Sequence, residues 1–130
     1  MKAPETALQG KHTAVAGQLY IAFELSDKKW QLVMSDGART PSRYAVVAGD
    51  QRAALAAIAQ AKARSGLVGA VVVHSCYEAG RDGFWLHRWL VAQGIDNLVV
   101  DSASIEVNRR ARRAKTDRLD GDKLLTMLMR

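Results

Sequence analysis

The hydrophobic period of this chain changes at Gly49, and that change restricts the fold more than any other feature of its 130 residues. Before it, apolar positions alternate. Leu19, Ile21, Phe23 and Leu25 fall on one side of a strand over 18–25, with Tyr20, Ala22 and Glu24 on the other. Ser26-Asp27-Lys28-Lys29 turns the chain, a second strand covers 30–34, and Ser35-Asp36-Gly37 is a further turn signal. A third strand over 42–47 completes an antiparallel meander.

After Gly49 the spacing is helical. Asp50 is a good N-cap, Ala54, Leu55, Ile58 and Ala61 recur at helical intervals, and Gly66 closes the segment. The apolar run over 68–73 suits a parallel strand covered on both faces. Residues 84–93 read as a helix stopped by Gly94, and 95–100 as another short buried strand. A basic loop follows over 101–115. Thr116 then caps a last helix carrying Leu119, Leu124, Leu125 and Leu128. The order βββαβαβα defines an α/β fold, a mixed five-stranded sheet with helices on its faces.

Length fits one domain, preceded by a flexible leader over 1–17 and occupying 18–130. The leader lacks the apolar core of a secretion signal, and Ala70-Val71-Val72-Val73 is far too short to span a bilayer. Cys76 is the single cysteine, which excludes an internal disulfide and a cysteine-rich zinc site. A cytoplasmic protein with no membrane partner is expected. The net charge of +6 and pI near 9.8 favour a polyanionic partner, nucleic acid before an anionic membrane surface.

Four acids stand where element ends can converge. Glu24 is near the end of the first strand, and Glu78 lies just past the parallel strand, before Ala79 and Gly80. Ligand sites in open α/β sheets form at the carboxyl ends of strands. Asp117 and Asp120 are three apart at the predicted start of the last helix and so share a face, in line with Leu124 and Leu128. Carboxylate oxygens are the ligands Mg²⁺ prefers, and two ions roughly 3.5–4 Å apart can stabilise both the attacking and the leaving oxygen of a phosphodiester. Each acid also has a plainer role, as a helix-dipole partner or a solvated loop residue.

Beside them runs the basic stretch Arg109, Arg110, Arg112, Arg113, Lys115 and Arg118, suited to phosphate contacts. Trp85 and Trp89, one helical turn apart, are assigned to the core, with base stacking as the alternative. His12, His74 and His87 show no metal-ligand spacing. His74 reads as a near-core residue and Cys76 as structural.

Three segments resemble motifs of one family. They are Tyr20-Ile21-Ala22-Phe23-Glu24-Leu25-Ser26, then Tyr77-Glu78-Ala79-Gly80, then Lys115-Thr116-Asp117-Arg118-Leu119-Asp120. Together they look like the DEDD transposases of bacterial insertion sequences, the insertion-sequence 110 family. The resemblance extends over most of the chain from Leu19 onwards and implies a ribonuclease H-like (RuvC-like) fold similar to Holliday-junction resolvases. It implies Glu24, Glu78, Asp117 and Asp120 as catalytic, metal-binding acids for Mg or Mn, with Glu24 where the family usually has Asp.

It further implies DNA and a structured guide RNA as partners, and a second domain bearing a serine nucleophile. That domain has no counterpart here, and Ser102 and Ser104 match no part of its motif. The chain thus reads as the N-terminal catalytic half of a DNA transposase, inactive alone in strand exchange. A stand-alone metal-dependent nuclease or junction resolvase and a non-catalytic nucleic-acid-binding remnant are the alternatives. A homo-oligomer is compatible with each.

Overall fold

The computed structural model describes residues 17–38, 40–67, 69–80, 83–101 and 120–130. Among these described residues, five strands and three helices follow in the order β1 (Gly17–Leu25), β2 (Lys29–Ser35), β3 (Ser42–Val47), α1 (Gln51–Arg64), β4 (Val71–Glu78), α2 (Trp85–Ala92), β5 (Asp96–Val100) and α3 (Gly121–Met129). This is the expected βββαβαβα succession. The sheet order is β3-β2-β1-β4-β5. The meander β1-β2-β3 is antiparallel, and β4 and β5 join parallel to β1, giving a mixed α/β sheet.

The alternation in β1 divides the two faces. Leu19, Ile21, Phe23 and Leu25 join Trp30, Leu32 and Met34 of β2 in the main core, under the apolar faces of α1 and α2. Ala22 points the other way and packs with Val33, Cys76, Val100, Leu124 and Leu125, so α3 covers the opposite face. Trp85 and Trp89 pack against the main core, and Trp85 lies 6.0 Å from Trp30 between ring centroids. This is the core role expected for the pair.

Both helices of the main-core face end alike. Gly66 at φ +71° lets Leu67 N–H donate to Lys62 O and its own N–H to Ala63 O. Gly94 at φ +81° does the same with Ile95 to Leu90 O and its own N–H to Val91 O. These are Schellman closures, in which the left-handed residue satisfies carbonyls the helix leaves open. In the second, Ile95 and Leu90 are both buried, so the chain leaves α2 already anchored for β5.

Four expectations are corrected. β4 does not cover 68–73: Gly69 has φ +77°, and the strand runs from Val71 through polar residues to Glu78, which is its last residue. Those polar positions are affordable in a strand because their partners are on hand. His74 Nε2 lies 2.7 Å from Gln18 Oε1 and its Nδ1 3.1 Å from Asp96 Oδ2, while Ser75 Oγ donates to Asn97 Oδ1 at 2.6 Å. His74 is therefore mid-strand and partly buried, stacked on Tyr20 at 5.0 Å.

In α1 the buried stripe is Ala54, Ala57, Ile58 and Ala61, and Leu55 is exposed. Phe84 and Gln93 are caps of α2 rather than helical residues. The last helix begins at Gly121, five residues beyond the expected cap. Asp120, extended at φ −84° and ψ 172°, is its N-cap and accepts from Lys123 N–H at 2.9 Å. Asp120 therefore does not belong to the helical stripe of Leu124. Thr116, Asp117 and Leu119 lie outside the described residues.

Candidate functional site at the carboxyl ends of the central strands

Parallel pairing of β1 with β4 sets Ala22 beside Cys76 and Phe23 beside Tyr77. One residue further, Glu24 and Glu78 follow abreast at the carboxyl ends of neighbouring strands, whose axes are about 4.8 Å apart. Both are half-buried, and the shared pleat puts both on the α3 face with Ala22 and Cys76. Glu78 in turn pairs with Val100 of β5, so Asp101 is the residue immediately beyond a third parallel strand end. Asp101 is not among the four acids expected from sequence, although its place directly after a strand is visible there.

α3 brings in the next acid. The N–H of Gly121 donates to Glu24 Oε1 at 3.1 Å, and Gly121 is the residue after Asp120. Glu24 and Asp120 therefore flank one peptide at the helix start, where the macrodipole favours negative charge. Asp122, one residue further on, takes Arg43 of β3 by both carboxylate oxygens, at 2.7 and 3.0 Å. That pair has no signature in the sequence, because residues 79 apart carry no local signal of contact.

Three of the four predicted acids are thus described, at one end of the sheet: Glu24 and Glu78 at strand ends, Asp120 at the start of α3. Asp117 lies outside the described residues, as do Arg109, Arg110, Arg112, Arg113, Lys115 and Arg118. Among the described residues no group of three or more His, Cys, Asp or Glu side chains is gathered closely enough to hold a metal. The donor chemistry of Glu24 and Glu78 nevertheless fits Mg²⁺, which takes hard oxygens and commonly only one or two protein carboxylates. Cys76, at the floor of this face, is unsuited to nucleophilic work. Burial pushes its thiol up to about 12, and its Sγ lies 3.7 Å from Leu124 O.

The main-core face holds a separate polar chain. Ser75 donates to Asn97, Asn97 Nδ2 lies 2.9 Å from His87 Nδ1, and Tyr77 Oη accepts from His87 N–H while donating to Gly83 O at 2.6 Å. It ties α2 to β4 and β5 and satisfies the fully buried Ser75 hydroxyl.

The fold and site together define an α/β domain with acids at the carboxyl ends of its parallel strands. The chain is 42% identical over 119 residues to a protein named "Putative transposase y4rJ" from Sinorhizobium fredii (strain NBRC 101917 / NGR234). The match takes in 87% of this chain but 30% of that relative, so the chain spans less than a third of its length. No family model matches the sequence, and no solved structure matches it. No helix among the described residues is long and apolar enough to cross a membrane.

Proposed function

We propose that this chain is the ribonuclease H-like, metal-binding part of a DNA transposase of the DEDD, insertion-sequence 110 type. The observation that carries the reading is the placement of Glu24 and Glu78 one residue beyond the last residue pair between β1 and β4, with Asp120 next in the chain to Gly121, whose amide donates to Glu24. The sheet order β3-β2-β1-β4-β5 agrees with such a fold. Similarity to the transposase-named relative supports the same class.

In this reading Glu24, Glu78 and Asp120, with Asp117, hold Mg²⁺ or Mn²⁺. A bound divalent ion supplies charge stabilisation for the oxygens of a phosphodiester under attack. The protein's own share is positional. Two strand ends fix the glutamates, and the N-cap of α3 fixes Asp120. The basic residues Arg109, Arg110, Arg112, Arg113, Lys115 and Arg118 supply phosphate contacts to DNA or guide RNA. In this reading these residues bind metal and nucleic acid, and the serine nucleophile of the complete reaction lies in a separate domain.

Thermal unfolding with and without metal tests the reading. Mn²⁺ or Mg²⁺ is expected to raise the Tm by mass action, by about 2.7 kcal/mol of stabilisation at a hundred-fold excess over Kd. Glu78→Gln and the pair Asp117→Asn with Asp120→Asn are each expected to remove that rise. A variant that responds like the parent would exclude those acids as ligands. Removing the arginines at 109, 110, 112 and 113 should flatten the salt dependence of nucleic-acid binding by several units of slope.

A further inference from the structure

Glycine at position 121 is unusual for a reason that backbone conformation does not supply. It is the first residue of a helix, its φ is not positive, and it is buried. Nothing in its backbone conformation calls for glycine, so the choice needs another cause. Space supplies it. A Cβ at 121 would stand 2.5 Å from Val33 Cγ2 and 3.2 Å from Glu24 Oε1. The first distance is a collision with a β-branched side chain that is itself fully buried and has little rotamer freedom. The second is with the very oxygen that accepts the Gly121 N–H.

We infer that Gly121 is a positioning residue. By lacking a Cβ it lets the start of α3 seat on Val33 and hand its amide to Glu24, fixing the spacing between the Glu24 and Asp120 carboxylates. Two neighbouring contacts fit this role. Asp120 closes the first turn through Lys123 N–H, and the Arg43–Asp122 pair ties the same turn to β3. The helix start is therefore held on three sides, and only the glycine side depends on the absence of an atom. An added methyl would push α3 away from β1 and β2, and Asp120 with it. Glu24 would lose its amide partner. The second half of the inference, that this spacing governs metal affinity, rests on the proposed function; the first half does not.

The test uses Gly121→Ala, Val33→Ala and the double variant, with two readouts on the full chain. In EDTA, amide hydrogen exchange at position 121 reports the contact with Glu24. We expect protection at 121, corrected for intrinsic exchange rates, to fall about ten-fold in Gly121→Ala and in Glu24→Ala, while the amides of β1 and β4 keep theirs. Gly121→Ala with Val33→Ala should regain most of it, because the colliding Cγ2 is gone. Unchanged protection in Gly121→Ala, or no recovery in the double variant, would overturn the positioning role.

In the second arm Mn²⁺ is titrated against Tm. Gly121→Ala is expected to raise the midpoint about ten-fold and the double variant to restore it. A merely structural effect would lower the metal-free Tm and leave the midpoint unchanged, which would also overturn the link to metal. If the parent itself shows no response to Mn²⁺, the metal reading falls and the link with it. The contact remains judged by exchange alone.

Discussion

The two faces of the sheet are built to different standards. Among the described residues the face under α1 and α2 buries sixteen in one cluster, including Phe23, Trp30, Tyr77, Leu86 and Leu90. Among the same described residues the face under α3 buries six, and its largest members are Leu124 and Leu125. Apolar burial scales stability with area, so among the described residues the first face carries most of the hydrophobic stabilisation. The second face carries the acids. Ionised carboxylates cannot be sealed under a thick apolar layer without a severe desolvation cost. A thin cluster beneath a nine-residue helix leaves Glu24 and Glu78 half-buried at its rim.

That contrast is broken most decisively by paired truncations. Leu90→Ala removes a fully buried side chain from the large cluster, and Leu124→Ala removes one from the small cluster. Both belong to a class that costs about 2–5 kcal/mol, with the spread set by how far the surroundings can collapse. α3 can settle onto the gap more easily than a sheet clamped by two helices. Leu90→Ala is therefore expected near 4 kcal/mol and Leu124→Ala near 2 kcal/mol in chemical denaturation. Equal losses would mean that the two faces form one cooperative core.

Alkaline pH sharpens the comparison on the α3 face alone. Cys76 is fully buried there, and burial raises its thiol from 9.0 to about 12. Between those values the unfolded chain releases the proton while the folded one keeps it. Stability is thus fully present below pH 9 and falls as pH rises above it, by at most about 1.4 kcal/mol per pH unit. Cys76→Ala should flatten that decline, measured as denaturation midpoint from pH 8 to 10.5. A parent and variant with parallel profiles would show that the thiol is not insulated from water.

The order of elements was legible because each one obeys a period that sequence displays directly. β1 alternates, α1 and α2 end at Gly66 and Gly94, and β3 matches its expected bounds. What was hidden depended on partners distant in sequence. β4 continues through His74 and Ser75 because Gln18, Asp96 and Asn97 satisfy them, and no local pattern announces that. Thr116 and Asp120 are both acceptable caps, and sequence alone does not choose between them. The glutamates could be found from strand ends. Gly121 could not, since a glycine demanded by Val33 rather than by its own φ looks like any other.

The smallest effect expected is at the Arg43–Asp122 pair, and it discriminates between two uses of a salt bridge. The geometry is good, a single guanidinium nitrogen 2.7 and 3.0 Å from the two oxygens, but both side chains are about half exposed, at 49% and 58%. Exposed pairs contribute little, and solvent and salt screen them further. Arg43→Ala should therefore shift global stability by no more than about 0.5 kcal/mol, and less at high salt. Its effect on α3 should be of similar size but confined to the opening of that helix. Cys76 lies under Leu124, so thiol-reagent labelling below pH 9 reports how often α3 lifts, in a regime where local opening precedes global unfolding. Arg43→Ala should speed labelling about two-fold at low salt, an increment that vanishes when salt screens the pair and that the charge-swapped Arg43→Asp with Asp122→Arg partly reverses. Labelling that tracks global stability in every variant would mean that α3 never opens alone. The two faces would then differ in composition but not in dynamics.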